Sequence, residues 1–496
     1  MKLKSGTDIR GIASENPERK NIELTDEVIR KISLGFSCFL QQKTGKNLAE
    51  LTVAIGRDSR ISGPRICETV TQTLLSCGIN VIDCGLCSTP AMFMTTIDLN
   101  ADASIEITAS HHPFYRNGLK FFTKDGGFDG GDIEFILRLA EEQKDLPQNI
   151  HGNFKKTDYM SQYANRLCEL IKKGVDDKYY DYPLRGFHIV VDAGNGVGGF
   201  YAKDVLEKLG ADTSGSRFLE PDGMFPNHVP NPEDETAMAS VCEAVLKSQA
   251  DLGVIFDTDV DRAGAVSSDG AEINRNRLVA IASVIALEGN DDGTIVTDSI
   301  TSSGLKTFIE ETLKAHHHRY KRGYKNVINE AIRLNEFGHN CPLAIETSGH
   351  AAMRENYFLD DGAYLVTKII IKMAQLKKEG KTLSDLYADL KEPVESREIR
   401  LKITESDFKA YGEKVIRKLT AYAREQQGMV VADDSFEGVR VSFDKENGNG
   451  WFLLRLSVHD PIMPLNVESD EAGGVETILS KLMPFILSCE GLQIPN

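Results

Sequence analysis

Two rhythms of apolar and polar positions alternate through the first part of the chain. Short apolar runs at 51–55, 80–84 and 103–109 have the length of buried strands, while 64–77 carries apolar residues at helical spacing and Thr89-Pro90 opens another helix-like stretch. Strand–helix alternation of this kind builds a mostly parallel sheet. The rhythm restarts after a helix-like segment at 158–173 and a polar, aromatic connector at 174–183. A strand at 187–192 runs through Gly194, Gly196, Gly198 and Gly199 into the helix-like 201–209, and a further strand follows at 252–256. It restarts again with a strand at 294–297 and a helix-like 303–313. From about residue 395 the order changes to strands at 397–403, 438–443 and 451–456 with helices at 407–426 and 473–487. The pattern predicts an α/β protein: three similar mixed α/β domains with mostly parallel sheets, and a smaller C-terminal α+β domain. The expected boundaries are 1–150, a helical linker 151–185, then 186–290, 291–392 and 393–496. No strong sequence repeat accompanies the three units.

A chain of 496 residues exceeds a single core, in line with roughly three or four domains. Hydrophobic residues at 41% and charged residues at 26% are ordinary for a soluble globular protein, and a net charge of −17 argues against a general nucleic-acid binder. An anionic substrate then needs local Arg and Lys to overcome the overall field. Nine scattered cysteines form no framework and suit reduced thiols. Cys84 and Cys87 make one Cys-x-x-Cys pair, but no second pair completes a zinc site, so both sulfurs are expected to pack at a strand end. The first residues hold no apolar signal segment and no apolar run is long enough to span a bilayer. A cytoplasmic protein without membrane or nucleic-acid partners is expected.

Candidate chemistry begins at Ser110, between the strand-like 103–109 and a His-His-Pro turn, with Lys120 ten residues on. A hydrolase nucleophile elbow needs glycines flanking the serine, whereas Ala109 and His111 stand here. The segment supplies a hydroxyl and a cation, or else simply a turn serine before Pro113. Asp257, Asp259 and Asp261 follow a strand directly. In extended chain alternate residues face one way, so the three carboxylates would converge, and hard oxygen donors favour Mg²⁺ or Ca²⁺. An EF-hand would need Gly at position six and Glu at position twelve, where Arg262 and Ser268 stand. The Gly-rich 194–199 could suggest a dinucleotide site, but a tight strand-to-helix turn explains it more simply. Residues 316–325 form a basic stretch including His316, His317, His318 and Arg322; they lack zinc-ligand spacing and suit phosphate capture better.

These segments, taken in order, resemble the loops of the α-D-phosphohexomutases. Thr108-Ala-Ser-His-His-Pro113 with Asn117-Gly-Leu-Lys120 is similar to that family's phosphoserine loop, and Asp257-Thr-Asp-Val-Asp-Arg262 to its metal loop. Glu346-Thr-Ser-Gly-His350 is similar to its sugar-binding loop. Arg455-Leu-Ser457 with Pro461 and Glu468 is similar to its distal phosphate loop, and the opening Gly6-Thr-Asp-Ile-Arg-Gly11 matches around Arg10. In the distal loop Val458 and His459 replace a small residue and Thr, and Pro464 stands where the family often has a second Arg, which points to a remodelled phosphate site. The basic 316–325 stretch resembles the family's third-domain loop only loosely.

The resemblance implies a four-domain enzyme around a central cleft. It implies that Ser110 carries a phosphoryl group and that Mg²⁺ is held by Asp257, Asp259, Asp261 and a Ser110 phosphate oxygen. Arg10 and Arg262 would flank the phosphate. Lys120, with His111 and His350 as secondary choices, would handle the proton, a burial- or cation-lowered pKa fitting Lys120 for it. Glu346, Ser348, His350, Arg322, Arg455 and Ser457 would bind a phosphosugar. The expected reaction is interconversion of hexose 1- and 6-phosphates of glucose or mannose through a hexose 1,6-bisphosphate, which also serves as activator. The alternatives are a hexose-1,6-bisphosphate synthase, suggested by Pro464, and a non-catalytic sugar-phosphate binding protein. A monomer or weak homodimer is expected.

Overall fold

Local signals set the element ends. The hydroxyl of Thr25 accepts the Val28 N–H to begin helix Asp26–Thr44, and Gly45 closes it in left-handed backbone at φ 70°. The carboxylate of Asp361 likewise accepts the Tyr364 N–H to start helix Gly362–Lys378. The computed structural model describes residues 1–142, 151–457 and 460–495. The chain divides into two compact units, Met1–Asn274 with Ser348–Asp385, and Arg275–Thr347 with Leu386–Asn496.

The first unit holds two sheets and the short antiparallel hairpin of Ala351–Met353 with Leu359–Asp360. In one the strands run in the order Lys4–Ser5, Asp8–Ile12, Arg116–Thr123, Ala103–Ile107, Thr52–Arg57, Asn80–Leu86 and Phe154–Lys156. Its centre is parallel, as the apolar runs predict, and the strands before Ala103–Ile107 in that order are antiparallel additions. Phe36 of the first helix stacks on Phe121 at 5.0 Å between centroids, within a core that includes Ile9, Val53, Ile55 and Ile105. Each such side chain contributes about 1.5–3 kcal/mol by leaving water. In the other sheet Ile189–Asp192 and Leu252–Phe256 are parallel, and Ala263–Ser267 and Glu272–Ile273 fold back antiparallel.

In the second unit Thr294–Thr297 lies between His316–Arg319 and Leu343–Ile345, all parallel. Its C-terminal portion is a six-stranded antiparallel sheet with helices Phe408–Glu425 and Gly474–Leu487 packed on it through Leu419, Ile478 and Leu482.

Four expectations change. The helix-like 201–209 is a wide π-helical turn, Tyr201–Leu206, followed by a tight one, Glu207–Leu209. The stretch 303–313 likewise passes from α-helix at Ser303–Thr307 into π-helix at Phe308–Thr312. The same irregularity after the first strand of two sheets is a structural likeness that residue identity hides. The basic 316–325 is only partly a loop, since His316–Arg319 is a strand. Pro464 lies not in a loop but inside strand Ile462–Ser469, buried and opposite Arg400, with its carbonyl accepting the Arg455 N–H at 3.1 Å. Val458 and His459 fall outside the described residues. All nine cysteines are free thiols, and Cys84 and Cys87 are buried at a strand end.

Candidate active site

Two hairpins of the first unit meet at Ser110. Ala103–Ile107 pairs antiparallel with Arg116–Thr123, setting Glu106 opposite Lys120, and Ser110 lies in the connection between them. Leu252–Phe256 pairs with Ala263–Ser267, the last pair being Phe256 with Ala263, so that the three aspartates and Arg262 form the hairpin loop. The aspartates therefore converge through a tight turn and not by strand alternation. Val260 within it takes φ 65°, a left-handed conformation that opposes a β-branched residue. Strain of this order, about 1–3 kcal/mol, persists where the surroundings impose it. Here the surroundings are close: a Cβ on Gly196 would lie 2.6 Å from the Thr258 carbonyl oxygen. The Gly-rich 194–199 is thus a backbone cradle for the acidic loop, fulfilling its reading as a turn.

The Ser110 hydroxyl donates to Asp257 Oδ2 at 3.0 Å and accepts from Arg262 Nη2 at 3.2 Å. Arg262 also binds Asp257 through Nε at 3.1 Å and donates to His111 Nδ1 at 2.5 Å. That contact makes Nδ1 an acceptor, and burial with the Arg262 charge holds the His111 pKa far below its ordinary value. Burial and Arg10 lower His112 to about 3. Arg10 itself is held by Asp8 at 2.6 Å.

Lys120 Nζ bridges Asp259 Oδ2 at 2.8 Å and Asp261 Oδ2 at 2.5 Å. The expectation of cationic neighbours is corrected here: two carboxylates face this amine and compensate it as an ammonium. His350 Nδ1 lies 2.5 Å from Asp360 and 3.9 Å from Asp261. Burial opposes its charge, but the two carboxylates win and raise its pKa to about 9.

The donor set fits a divalent cation. One oxygen from each of Asp257, Asp259 and Asp261 lies within 4.8 Å of the others. The Oδ1 atoms of Asp259 and Asp261 are buried and accept no hydrogen bond among the described residues. Burial, then the Asp261 and Asp259 carboxylates, push the Asp257 pKa well up. Three such groups become compatible with ionisation when a cation joins them. All-oxygen donors match Mg²⁺.

The remaining predicted residues belong to the second unit, apart from Ser348, and the division of the chain falls between Thr347 and Ser348. Glu346 Oε1 accepts the Gly323 N–H at 2.6 Å, and Arg322 Nε lies 3.4 Å from Asp298 Oδ2. Glu437 collects the basic side: its Oε2 accepts the Arg322 backbone N–H at 3.1 Å, and Arg455 Nη1 lies 3.8 Å from its Oε1. Arg455 Nε is buried without a hydrogen-bond partner among the described residues. Burial, then the Arg322 charge, lower the Arg455 pKa, which places the two guanidinium groups in one field. Ser457 receives the Asp460 N–H at 3.3 Å.

Sequence reasoning missed Arg60. Its fully buried guanidinium pairs with Asp58 and donates to the carbonyls of Ser110, His112 (2.7 Å), Pro113 (2.8 Å) and Arg116 (3.0 Å). One side chain thereby fixes the whole Ser110 turn, where Ser110 takes φ 51°. The available signal was the polar run Arg57-Asp-Ser-Arg60 directly after an apolar strand. Thr89 was also missed; its hydroxyl donates to Asp259 Oδ2 and its N–H to the Asp259 carbonyl at 2.9 Å.

Comparison with known proteins matches this geometry. Three family models, the phosphoglucomutase/phosphomannomutase alpha/beta/alpha domains I, II and III, match residues 1–145, 162–270 and 274–394. The chain is 30% identical over 464 residues to a phosphoglucomutase/phosphomannomutase of Thermococcus kodakarensis, covering 93% of each. It is 27% identical over 489 residues to a phosphoglucomutase of Neisseria meningitidis, covering 98% of this chain and 97% of the relative. The crystal structure of a phosphoglucomutase/phosphomannomutase family protein from Burkholderia thailandensis is similar with a TM-score of 0.80 at 26% identity, over 99% of this chain and 98% of that one.

Proposed function

Because the chain belongs to the phosphoglucomutase/phosphomannomutase family, we propose that it interconverts the 1- and 6-phosphates of a hexose, glucose or mannose, with Ser110 as phosphoryl carrier. The observation that carries this reading is the Ser110 hydroxyl held between Asp257 and Arg262 beside three converging aspartates.

Phosphoryl transfer rests on positioning and charge stabilisation. Asp257, Asp259 and Asp261, with an oxygen at Ser110, would hold Mg²⁺, which when bound offsets negative charge on the transferring group. Arg262 reaches the Ser110 oxygen directly and orients it. In the transfer the phosphorus–Oγ bond of Ser110 breaks and a bond to a hydroxyl of the hexose monophosphate forms, giving a 1,6-bisphosphate. The hydroxyl proton leaves to a base, and we assign that base to Lys120 as the neutral amine, a form open to it once a bound cation takes over the charge of Asp259 and Asp261; His350, an imidazolium held by Asp360, is the group that would return a proton. A second transfer returns the other phosphate to Ser110. Glu346 and Ser348 are assigned to sugar hydroxyls. Arg322, Arg455 and Ser457 are assigned to the phosphate that is not being transferred.

The bisphosphate synthase reading rests on Pro464 in place of a second Arg; the similarity to phosphoglucomutases and phosphomannomutases favours the mutase over it. Purified protein with Mg²⁺ and a trace of hexose 1,6-bisphosphate is expected to convert glucose 1-phosphate or mannose 1-phosphate to the 6-phosphate. Absence of turnover with either sugar would overturn the proposal, and net accumulation of bisphosphate would favour the synthase.

A further inference from the structure

A cavity of about 480 Å³ opens in the first unit, away from every residue assigned above. Its floor is apolar and buried: Val175, Pro183, Phe187 and Ala374. Its rim carries the exposed rings of Tyr179 and Tyr182, at 50% and 56% exposure. Four cations also line it, Lys178, Arg185, Lys377 and Lys378, against the single carboxylate of Asp177. In a chain of net charge −17 this local reversal of sign suits an anionic ligand.

Of the four cations, Lys377 and Lys378 each have a carboxylate at 3.8 Å, and Lys178 and Arg185 form no ion pair among the described residues. Lys378 Nζ donates to the Val175 carbonyl at 2.6 Å and stands 3.8 Å from Asp177. Lys377 Nζ donates to the Gly186 carbonyl at 3.2 Å, stands 3.8 Å from Asp251 and caps the Phe187 ring at 4.1 Å. Arg185 and Lys178 both lie over the Tyr179 ring, at 4.7 and 5.0 Å. Carbonyls and ring faces orient these cations without cancelling them, and exposed ion pairs at such distances contribute little. Beside the Lys377–Phe187 pair a smaller cavity of about 170 Å³ continues the groove past Lys381, Ser267 and Ser268.

Two exposed tyrosine rings beside an apolar floor suit a planar aromatic group, and a cationic rim suits an anionic tail. The volume lies within the range of about 300–1,000 Å³ usual for small-molecule sites. We propose that this groove binds a nucleoside polyphosphate, its base against Tyr182 and its phosphates on Arg185, Lys377 and Lys378. The site is independent of the mutase reading. It adjoins the C-terminal end of helix Gly362–Lys378, whose N-terminal Gly362 packs on the Arg262 backbone, so one helix borders both the groove and the Ser110 site.

Calorimetric titration of the full chain with ATP tests this. Binding is expected in the micromolar to sub-millimolar range, undisturbed by saturating glucose 1-phosphate and at least about tenfold tighter than binding of inorganic tripolyphosphate. Tyr182→Ala and Arg185→Ala change exposed side chains and are expected to keep the fold, checked by melting, and the sugar-phosphate turnover. Each is expected to weaken ATP by about tenfold, roughly the worth of one lost charged or aromatic contact. No binding at millimolar ATP, displacement by glucose 1-phosphate, equal binding of tripolyphosphate, or unchanged binding in both variants would each overturn the proposal.

Discussion

Arg60 is the side chain on which the geometry of Ser110 depends most. It contacts no substrate in the account above, yet four loop carbonyls and Asp58 converge on it. Arg60→Ala leaves Asp58 buried without its cation, so we expect a loss of about 3–5 kcal/mol in urea unfolding, together with lower turnover even where the protein remains folded. Arg322 acts differently. It shares the field of Arg455 at Glu437, and Arg322→Ala is expected to raise KM for the hexose phosphate about tenfold or more, with kcat less affected, as for a lost charged hydrogen bond. Steady-state kinetics on the two variants separates a positioning residue from a binding one. Ser110, Lys120 and the three aspartates could be singled out in the sequence because each stands in a short motif and the motifs, taken in order, resemble one family's loops. Arg60 could not, because its partners lie some fifty residues away and only the folded sheet brings them together.

At the scale of elements, the apolar runs announced the parallel strands Thr52–Arg57, Asn80–Leu86 and Ala103–Ile107 within a few residues. What they did not announce is the return of the chain in antiparallel hairpins, which decides how both key loops are presented. Those returns, Arg116–Thr123 and Ala263–Ser267, carry polar or small residues and lack a continuous apolar run. The role of the Gly-rich turn follows from its packing: Gly196→Val would drive a side chain into the Thr258 backbone. We expect a destabilisation of about 1–3 kcal/mol and Mg²⁺ affinity reduced about tenfold, read from the Mg²⁺ concentration needed to raise the melting temperature. The same turn is held by Asp192, which accepts the Gly194 N–H and pairs with His228 at 3.0 Å. Burial works against the His228 charge, but Asp192 prevails and raises its pKa above the ordinary 6.5. A raised folded pKa stabilises the protein fully below the unfolded value, and that stabilisation fades as pH rises through the folded one. Melting temperature is thus expected to fall with rising pH above about 6.5 more steeply in the native protein than in His228→Asn. Parallel curves would remove this pair from the account.

For the whole molecule, the three α/β sheets and the antiparallel C-terminal sheet follow the order read from the sequence, although the sheets are mixed at their edges. The C-terminal portion was the least legible. Its strand Ile462–Ser469 contains Pro464 with no donor N–H, and a proline there reads as loop until the neighbouring strand supplies the context. The assignment of one chemistry to the entire chain rests on Ser110 acting as a covalent carrier. The direct measurement is peptide mapping by mass spectrometry after incubation with Mg²⁺ and phosphate-labelled hexose 1,6-bisphosphate, followed by a chase with unlabelled hexose 1-phosphate. A covalent role for Ser110 predicts label on the Ser110 peptide that the chase removes into hexose phosphate, and neither labelling nor turnover in Ser110→Ala or after chelation of the metal. Turnover without label on Ser110, or label that the chase leaves in place, would contradict it.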